Sequence, residues 1–255
     1  MDAARDELLS GRVRRDRLGR FNVRGVIADE QTGGHGQRGN SWYAARAESL
    51  CATYYFQHGL VSPETAGEVA LLAGVAVADV IHNATQRDID YSSPPPVPAV
   101  RVGLKWPNDL LLGAKKAGGI LVELVRIPDA DWVALIGVGI NVSVLKFPPE
   151  LADHATSIAI EWPDRDLTKL QLAYSIPRGL NRIARIRRTQ GLSAVLRRWR
   201  RYDETRGRRY QFEQDGVKLE GIAEGIDDAG GLMLRIHGGG LTTSYSASSL
   251  TELRR

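Results

Sequence analysis

The first half of the chain alternates short apolar runs with polar, glycine-rich segments. Five apolar runs are rich in β-branched residues and predict strands, at residues 25–30, 49–56, 99–106, 119–125 and 133–142. A longer apolar stripe follows Ser62 and Pro63, a capping residue with proline at the first helical position, and predicts a helix through Val80. This order of elements predicts an α+β fold, with a mixed β-sheet core flanked by helices.

The pattern changes after about residue 206. Short alternating segments separated by glycine-rich turns fill the last ~50 residues, which predicts a small, mostly antiparallel β-barrel. Before them, Leu192, Leu196 and Trp199 recur at helical spacing, so the arginines between them belong to a solvated helix face. We therefore predict two domains, a mixed α/β domain of residues 1–204 and a β module of residues 205–255.

Composition narrows the class of protein without indicating a function. The chain has 255 residues, of which 43% are hydrophobic and 25% charged, as is typical of a globular protein. No apolar run reaches the ~18 residues of a membrane span, and the N-terminus lacks the apolar core of a signal peptide, so we expect a cytoplasmic protein. The net charge of +4 comes largely from two arginine-rich runs, at residues 12–24 and 182–209, and does not by itself predict a nucleic-acid partner. The single Cys51 lies in an apolar run, and we expect it to be structural.

The first segment with candidate chemistry is the loop of residues 31–42. Its four glycines allow main-chain amides to approach a ligand closely. Gln31, His35, Gln37 and Arg38 add donors suited to ureido, carboxylate or phosphate groups. The alternative is a flexible glycine loop, because the spacing matches neither the dinucleotide fingerprint nor the Walker loop.

Three further clusters lie at the ends of predicted strands. Lys105, Asn108 and Asp109 offer a cation for phosphate, an amide for a base or ribose and a carboxylate for a metal, although a polar turn is the alternative. Lys116 precedes a glycine pair that opens an apolar strand, which suits an ammonium held against a ligand above the sheet. Asn141 follows two glycines within an apolar strand, which predicts close approach of a ligand or another backbone.

In order and spacing, these four segments resemble the biotin–protein ligase family, in its short form without an N-terminal DNA-binding domain. The family patterns are approximately GRGRxGRxW, KWPND, KxxGILxE and GxGIN, and this chain reads GHGQRGNSW, KWPND, KAGGILVE and GVGIN. The later GIAEGIDDAGGLML is similar to the family's GIAxGIDxxGxLLL strand pair, so the resemblance covers nearly the whole chain. It implies a class II synthetase-like biotin ligase catalytic fold followed by a small SH3-like β-barrel.

The resemblance also implies an activity. It is that of a biotin–[acetyl-CoA-carboxylase] ligase, which uses ATP and biotin as substrates with Mg²⁺, forms biotinyl-5'-AMP and transfers biotin to a lysine. The implied partner is the biotin carboxyl carrier domain of an acyl-CoA carboxylase, with no DNA or membrane partner and with a homodimer as the assembly that the family suggests. Lys116 and Arg38 match catalytic positions. The biotin-binding positions are Gln31, His35, Gly36, Gln37 and Lys116. The ATP or adenylate positions are Gly34, Arg38, Trp42, Lys105, Asn108 and Asn141, with Asp109 as the Mg²⁺ ligand.

Departures from the family pattern weaken the expectation of full activity. His35 and Gln37 replace two loop arginines, which removes permanent positive charge and predicts weaker retention of the adenylate, while Asn40 in place of a third is a minor change. The family's Ser/Thr-rich stretch, whose hydroxyls line the biotin pocket, is not found in the sequence, so we expect either a start further upstream or an open biotin pocket. We likewise expect no N-terminal helix-turn-helix.

Two alternatives to the ligase stay open. One is a non-catalytic homologue that holds a carrier protein or an adenylate, and the missing hydroxyl stretch and arginines support it. The other is a lipoate or octanoyl transferase, which shares the core architecture but which KWPND and the C-terminal β module disfavour.

Overall fold

The structure is a computed structural model, and it describes residues 1–10, 13, 25–31, 33–36, 41–57, 61–85, 100–127, 132–214, 217–236, 240–244 and 250–253. Within these ranges there are six α-helices and eleven strands. The helices are α1 (Asp2–Leu9), α2 (Ala66–Thr85), α3 (Pro149–Ala152), α4 (Ile158–Glu161), α5 (Lys169–Gln190) and α6 (Leu192–Tyr202). The strands are β1 (Gly25–Ala28), β2 (Ser49–Phe56), β3 (Val102–Lys105), β4 (Asp109–Leu112), β5 (Lys115–Arg126), β6 (Trp132–Asn141), β7 (Arg209–Gln214), β8 (Val217–Ile226), β9 (Leu232–Ile236), β10 (Leu241–Ser244) and β11 (Leu250–Leu253).

The larger sheet has six strands in the order β1-β2-β6-β5-β4-β3. Each neighbouring pair is antiparallel, so the α+β class is confirmed but the expected mixed sheet is replaced by an antiparallel one in the described residues. Strands β3 to β6 are antiparallel because they follow one another through short links that reverse the chain direction.

One face of this sheet is covered by α2, α5 and α6. Helix α2 is apolar on nearly every side because it lies between the sheet and the other two helices. Gly74 on α2 lies against the indole of Trp199 on α6, where a Cβ would stand 2.8 Å from Cζ3. The segment Pro63–Thr85 is long and apolar enough to cross a membrane, with an 18-residue window of mean hydropathy 1.5, but 61% of that window is buried in the protein. Glu68 and Asp79 interrupt it, so it holds no uninterrupted apolar run of about 18 residues, and it forms the centre of the core.

Among the described helices, α1 covers one end of the opposite face of the sheet. Helix α1 packs there through Ala4 and Leu8 in a small cluster with Tyr55, Val133 and Leu135. The Tyr55 hydroxyl donates a hydrogen bond of 3.0 Å to the carbonyl of Ala4. Beside α1, the described residues on this face form a cleft.

The second sheet has five strands in the order β10-β9-β8-β7-β11, and all its pairs are antiparallel. Among the described strands the order is open, with β10 and β11 at the two edges, so the predicted barrel closure is not confirmed. The sheet is joined to the rest of the protein through Trp106. Its indole Nε1 donates to the carbonyl of Gly230 at 3.0 Å, and its main-chain N–H donates to Thr205 Oγ1 at 2.8 Å. Both sheets therefore contribute to one continuous hydrophobic core.

Candidate active site

An open cleft of about 1690 Å³ lies on the face of the larger sheet that α2 does not cover. Most of the site residues expected from the sequence lie around it. The cleft is lined by Gln31, His35, Gly36, Trp42, Lys105, Asn108, Asp109, Lys116 and Asn141. Gly34 belongs to the same loop and contacts Trp42, whereas the predicted site residues Gln37 and Arg38 lie outside the described residues.

The floor of the cleft is formed by glycines, and side chains from other parts of the chain lie on it. Gly119 on β5 and Gly139 on β6 are register partners, and Gly137 lies two residues earlier on the same face of β6. A Cβ at Gly139 would stand 2.6 Å from Cε2 of Trp42, and one at Gly137 would stand 2.8 Å from Sδ of Met1. Flat groups can therefore lie directly on the sheet at these positions, and the Trp42 indole does so.

Trp42 is positioned by the glycine loop. Its main-chain N–H donates to the carbonyl of Gly34 at 2.8 Å, and His35 forms an antiparallel bridge with Ser41. The two ends of the loop thus pair like a hairpin and direct Trp42 over the floor. Beneath it, burial raises the pKa of the Cys51 thiol, and the Trp42 indole offsets this only in part, which suits a neutral structural cysteine.

Asp109 lies at the centre of a cluster of opposite charges. Lys105 and Asp109 are register partners where β3 and β4 meet, and the turn between them contains a cis Trp106–Pro107 bond. Asp109 Oδ2 lies 2.8 Å from Lys105 Nζ, and its Oδ1 lies 2.6 Å from Lys116 Nζ. Burial acts to raise the pKa of Asp109, but the two lysines outweigh it, so this pKa lies below its usual range.

Lys116 reaches Asp109 because of a β-bulge. Leu110 pairs with Gly118 while Leu111 pairs with Lys116, which leaves an extra residue in β5. The backbone of Lys116 is also fixed from outside the sheet, because its N–H donates to the carbonyl of His154 at 2.8 Å. Its side chain is 42% exposed and its Nζ lies 5.8 Å from the centre of a Trp42 ring. The ammonium is therefore held on one side and open to the cleft on the other.

The two asparagines of the predicted nucleotide site are engaged with the main chain. Asn108 Nδ2 donates to the carbonyl of Ile120 at 2.8 Å. Asn141 Nδ2 donates to the carbonyl of Thr156 at 3.0 Å, and its Oδ1 accepts a 3.5 Å hydrogen bond from Ser49. Asn141 is only 4% exposed, so in this arrangement both amides chiefly fix the strands and loops that border the cleft.

The arrangement does not fit the Mg²⁺ role predicted for Asp109. Both of its carboxylate oxygens face an ammonium group, and a divalent cation there would be repelled by both lysines. Across the described ranges there is also no group of three or more His, Cys, Asp or Glu side chains that could hold a metal ion. The carboxylate is instead the counterion of two lysines.

Two residues of the cluster were not predicted from the sequence. Glu252 on β11 places Oε2 2.9 Å from Lys105 Nζ, and its Oε1 lies 2.7 Å from Nη1 of Arg208. Burial acts to raise the pKa of Glu252, but Arg208 and Lys105 lower it further than burial raises it. No sequence signal indicates the contact, because Glu252 lies 147 positions from Lys105 and belongs to no motif.

The fold and the cleft together define a class, an α+β domain that presents a lysine beside a glycine floor on its larger sheet and carries a second β-sheet. A solved structure of this class is the biotin protein ligase from Aquifex aeolicus in complex with biotin and ATP, which matches with a TM-score of 0.73 and 20% identity over 94% of both chains. Residues 22–141 match the model of the Biotin/lipoate A/B protein ligase family.

Sequence relatives point to a narrower group. The biotin–[acetyl-CoA-carboxylase] ligase of Mycobacterium tuberculosis is 32% identical over 234 residues, which cover 90% of this chain and 79% of the relative. The bifunctional ligase/repressor BirA of Escherichia coli is 28% identical over 225 residues, and the match spans 65% of its length. The chain belongs to the biotin–protein ligase family.

Proposed function

We propose that the protein is an ATP-dependent biotin–protein ligase that forms biotinyl-5'-AMP and then transfers biotin to a lysine of a biotin carboxyl carrier domain. The observation that carries the proposal is the setting of Lys116. Its ammonium is fixed by Asp109 and faces a cleft with a glycine floor. A mobile lysine would have to be ordered on binding, whereas this one is already held near where a small carboxylate would lie. The names of the relatives support the same reaction.

The chemistry of adenylation matches the charges of the cleft. The biotin carboxylate attacks the α-phosphorus of ATP, a new C–O–P link forms, and pyrophosphate leaves. Both reactants are anions, so the chief task of the protein is to bring them together and neutralise their charge. Lys116 is assigned to the biotin carboxylate and the forming bond, and Lys105 to the nucleotide side. Mg²⁺ belongs to the proposal only as the counterion of ATP.

The remaining assignments follow the resemblance to the family, and most of these residues line the cleft. Biotin is assigned to Gln31, His35 and Gly36, with Gln37 of the same loop. The adenylate is assigned to Gly34, Arg38, Trp42, Asn108 and Asn141. Because Trp42 and Met1 cover the glycine floor, binding of a flat ring there requires both side chains to move away from Gly139 and Gly137.

The second half-reaction needs an acceptor amine. A carrier lysine attacks the acyl carbonyl of the adenylate, an amide forms, the amine loses a proton and AMP leaves. The open cleft gives such a lysine a path to Lys116, which is 42% exposed. We propose that the carrier domain belongs to an acyl-CoA carboxylase, and that neither DNA nor a membrane is a partner. The proposal also includes a cytoplasmic location and a homodimer. It also includes a catalytic domain of residues 1–204 and an SH3-like barrel of residues 205–255.

The test is transfer of labelled biotin to a carrier domain, with and without ATP. We expect Lys116→Ala to reduce the rate by roughly 100-fold, the loss typical of removing one stabilising group from a transition state. Lys115→Ala is the matched control, because Lys115 is the exposed neighbour whose Nζ contacts only the carbonyl of Ala152 at 3.4 Å in the described structure. It should retain the wild-type rate.

Two other outcomes would replace the proposal. Transfer of lipoate or an octanoyl group in preference to biotin would identify the related transferase. Tight binding of biotinyl-5'-AMP without any turnover, in wild type and Lys115→Ala alike, would identify the non-catalytic homologue.

A further inference from the structure

Five charged side chains form a continuous row from the cleft to the second sheet. The row runs Lys116, Asp109, Lys105, Glu252 and Arg208, and we call it the charge row. Successive partners are 2.6, 2.8, 2.9 and 2.7 Å apart and alternate in sign. The larger sheet provides the first three residues, and the other two come from the segment that contains the second sheet.

The middle of the charge row is the most enclosed part. The side chains of Asp109, Lys105 and Glu252 are 13%, 20% and 21% exposed, whereas Lys116 at the cleft end is 42% exposed. Charges in the middle are therefore screened less by water and salt, and each depends more strongly on its neighbours. Removing the charge of Glu252 should therefore change how strongly Asp109 holds Lys116.

We propose that Glu252 is a positioning residue for adenylation, which acts on Lys116 through Lys105 and Asp109. This inference rests on the proposed ligase function. The Lys105 ammonium is shared between two carboxylates. When Glu252 is neutral, Asp109 is the only carboxylate that the described structure leaves for Lys105, so Asp109 is drawn towards it and holds Lys116 less firmly. The row also changes from three cations and two anions to three cations and one anion.

A clamp between the sheets is the competing role for Glu252. Other contacts already join the sheets, namely the hydrogen bonds of Trp106 to Gly230 and Thr205 and the shared hydrophobic core. Glutamine at position 252 keeps an oxygen that can accept from Lys105. The substitution should thus remove the charge and leave the packing of the second sheet in place.

The experiment compares Glu252→Gln with Glu220→Gln. Glu220 is the matched control, because it lies in the same sheet, is 50% exposed and pairs with Arg209 outside the charge row. Biotin-dependent release of pyrophosphate from ATP gives kcat and KM. We expect Glu252→Gln to lower kcat roughly tenfold, because a misplaced reactive group loses rate steeply. The KM for ATP should stay the same or fall, because the row gains positive charge. Glu220→Gln should match the wild type.

A second readout does not depend on activity. The titration of Lys105, followed by NMR of lysines labelled at Cε, should move to lower pH in Glu252→Gln, because the carboxylate of Glu252 favours the charged ammonium. A shifted titration with unchanged kcat would overturn the proposal. So would a parallel loss of kcat, ATP affinity and stability, which is the signature of a clamp. A wild-type protein that releases no pyrophosphate would refute the ligase function itself, and the titration would then still decide whether Glu252 governs the row.

Discussion

Replacing Asp109 with asparagine removes the negative charge between two lysines and keeps the shape of the side chain. In the folded protein, Lys116 then has no carboxylate within the described cluster, and Lys105 keeps only Glu252. The substitution therefore tests whether the carboxylate stabilises the fold as the counterion of both lysines.

The expected cost follows from exposure. Removing one partner of a buried ion pair costs about 3–5 kcal/mol, and an exposed pair contributes only about 0–1 kcal/mol. The pair with Lys105 is nearly buried but is partly compensated by Glu252, and the pair with Lys116 must be discounted because Lys116 is 42% exposed. Together these considerations predict a loss of about 2–3 kcal/mol in the free energy of unfolding, or roughly 4–12 °C in Tm for a chain of this size.

Urea unfolding at pH 7 measures this loss, and its pH dependence checks the cause. The folded pKa of Asp109 lies below the unfolded value of about 3.9, so its contribution is complete above that value and disappears as the pH falls through the folded pKa. The difference between wild type and Asp109→Asn should shrink accordingly in acid. Asp228→Asn is the control, because Asp228 is 94% exposed, and it should change stability by less than about 0.5 kcal/mol. Equal stability of Asp109→Asn and wild type at pH 7 would refute the reasoning, as would a difference that persists unchanged below the folded pKa.

Two further substitutions test the packing around the site. Gly139→Ala should displace Trp42 from the cleft floor, because the new Cβ would stand 2.6 Å from its ring. A change in the tryptophan emission spectrum checks this, and an unchanged spectrum would show that the indole does not lie there. Tyr210→Phe should be no less stable than the wild type in urea. The buried Tyr210 hydroxyl has no hydrogen-bond partner among the described residues, and burying such a group costs about 1–3 kcal/mol. A clear loss of stability would reveal a partner.

Long apolar runs allowed the main strands to be predicted from the sequence. Residues 49–56 form β2 as expected, and the run at 133–142 is β6 within one residue at each end. Strand β4 was not predicted, because its four residues Asp109–Leu112 are too short to show a period. Strand β5 starts at Lys115, earlier than predicted, since charged residues there mask a strand that contacts the cleft.

Pairing direction and closure depend on contacts that a local pattern does not contain. The mixed sheet is predicted from the alternation of strands with a helix. In the structure, β2 pairs with β6, which follows it only after α2 and three further strands, and the pairs β2–β6 and β5–β6 are both antiparallel. The barrel was inferred from evenly spaced turns, which specify hairpins but not whether the two edge strands meet.

The candidate site shows the same division between local and distant information. Lys105 and Asp109 are separated by a short turn, so their proximity is encoded within five residues, and the sequence predicts it. The contact between Asp109 and Lys116 could not be predicted in this way. The bulge that directs Lys116 towards Asp109 arises from the pairing of two strands and has no residue signature. The carboxylate was therefore assigned to a metal, although Lys105 and Lys116 both pair with it.

The charge row explains how the KWPND segment can exist at the edge of a core. Burial opposes ionisation of both Lys105 and Asp109, and each is kept charged by its opposite. Adding Lys116 would leave two cations for one anion, and Glu252 from the second sheet restores the balance at the Lys105 end while Lys116 keeps its free side towards the cleft. An anionic substrate that enters the cleft therefore meets the ammonium of Lys116, whose counterion Asp109 is shared with Lys105. Glu252 of the second sheet also pairs with Lys105 and so determines how strongly Asp109 holds Lys116.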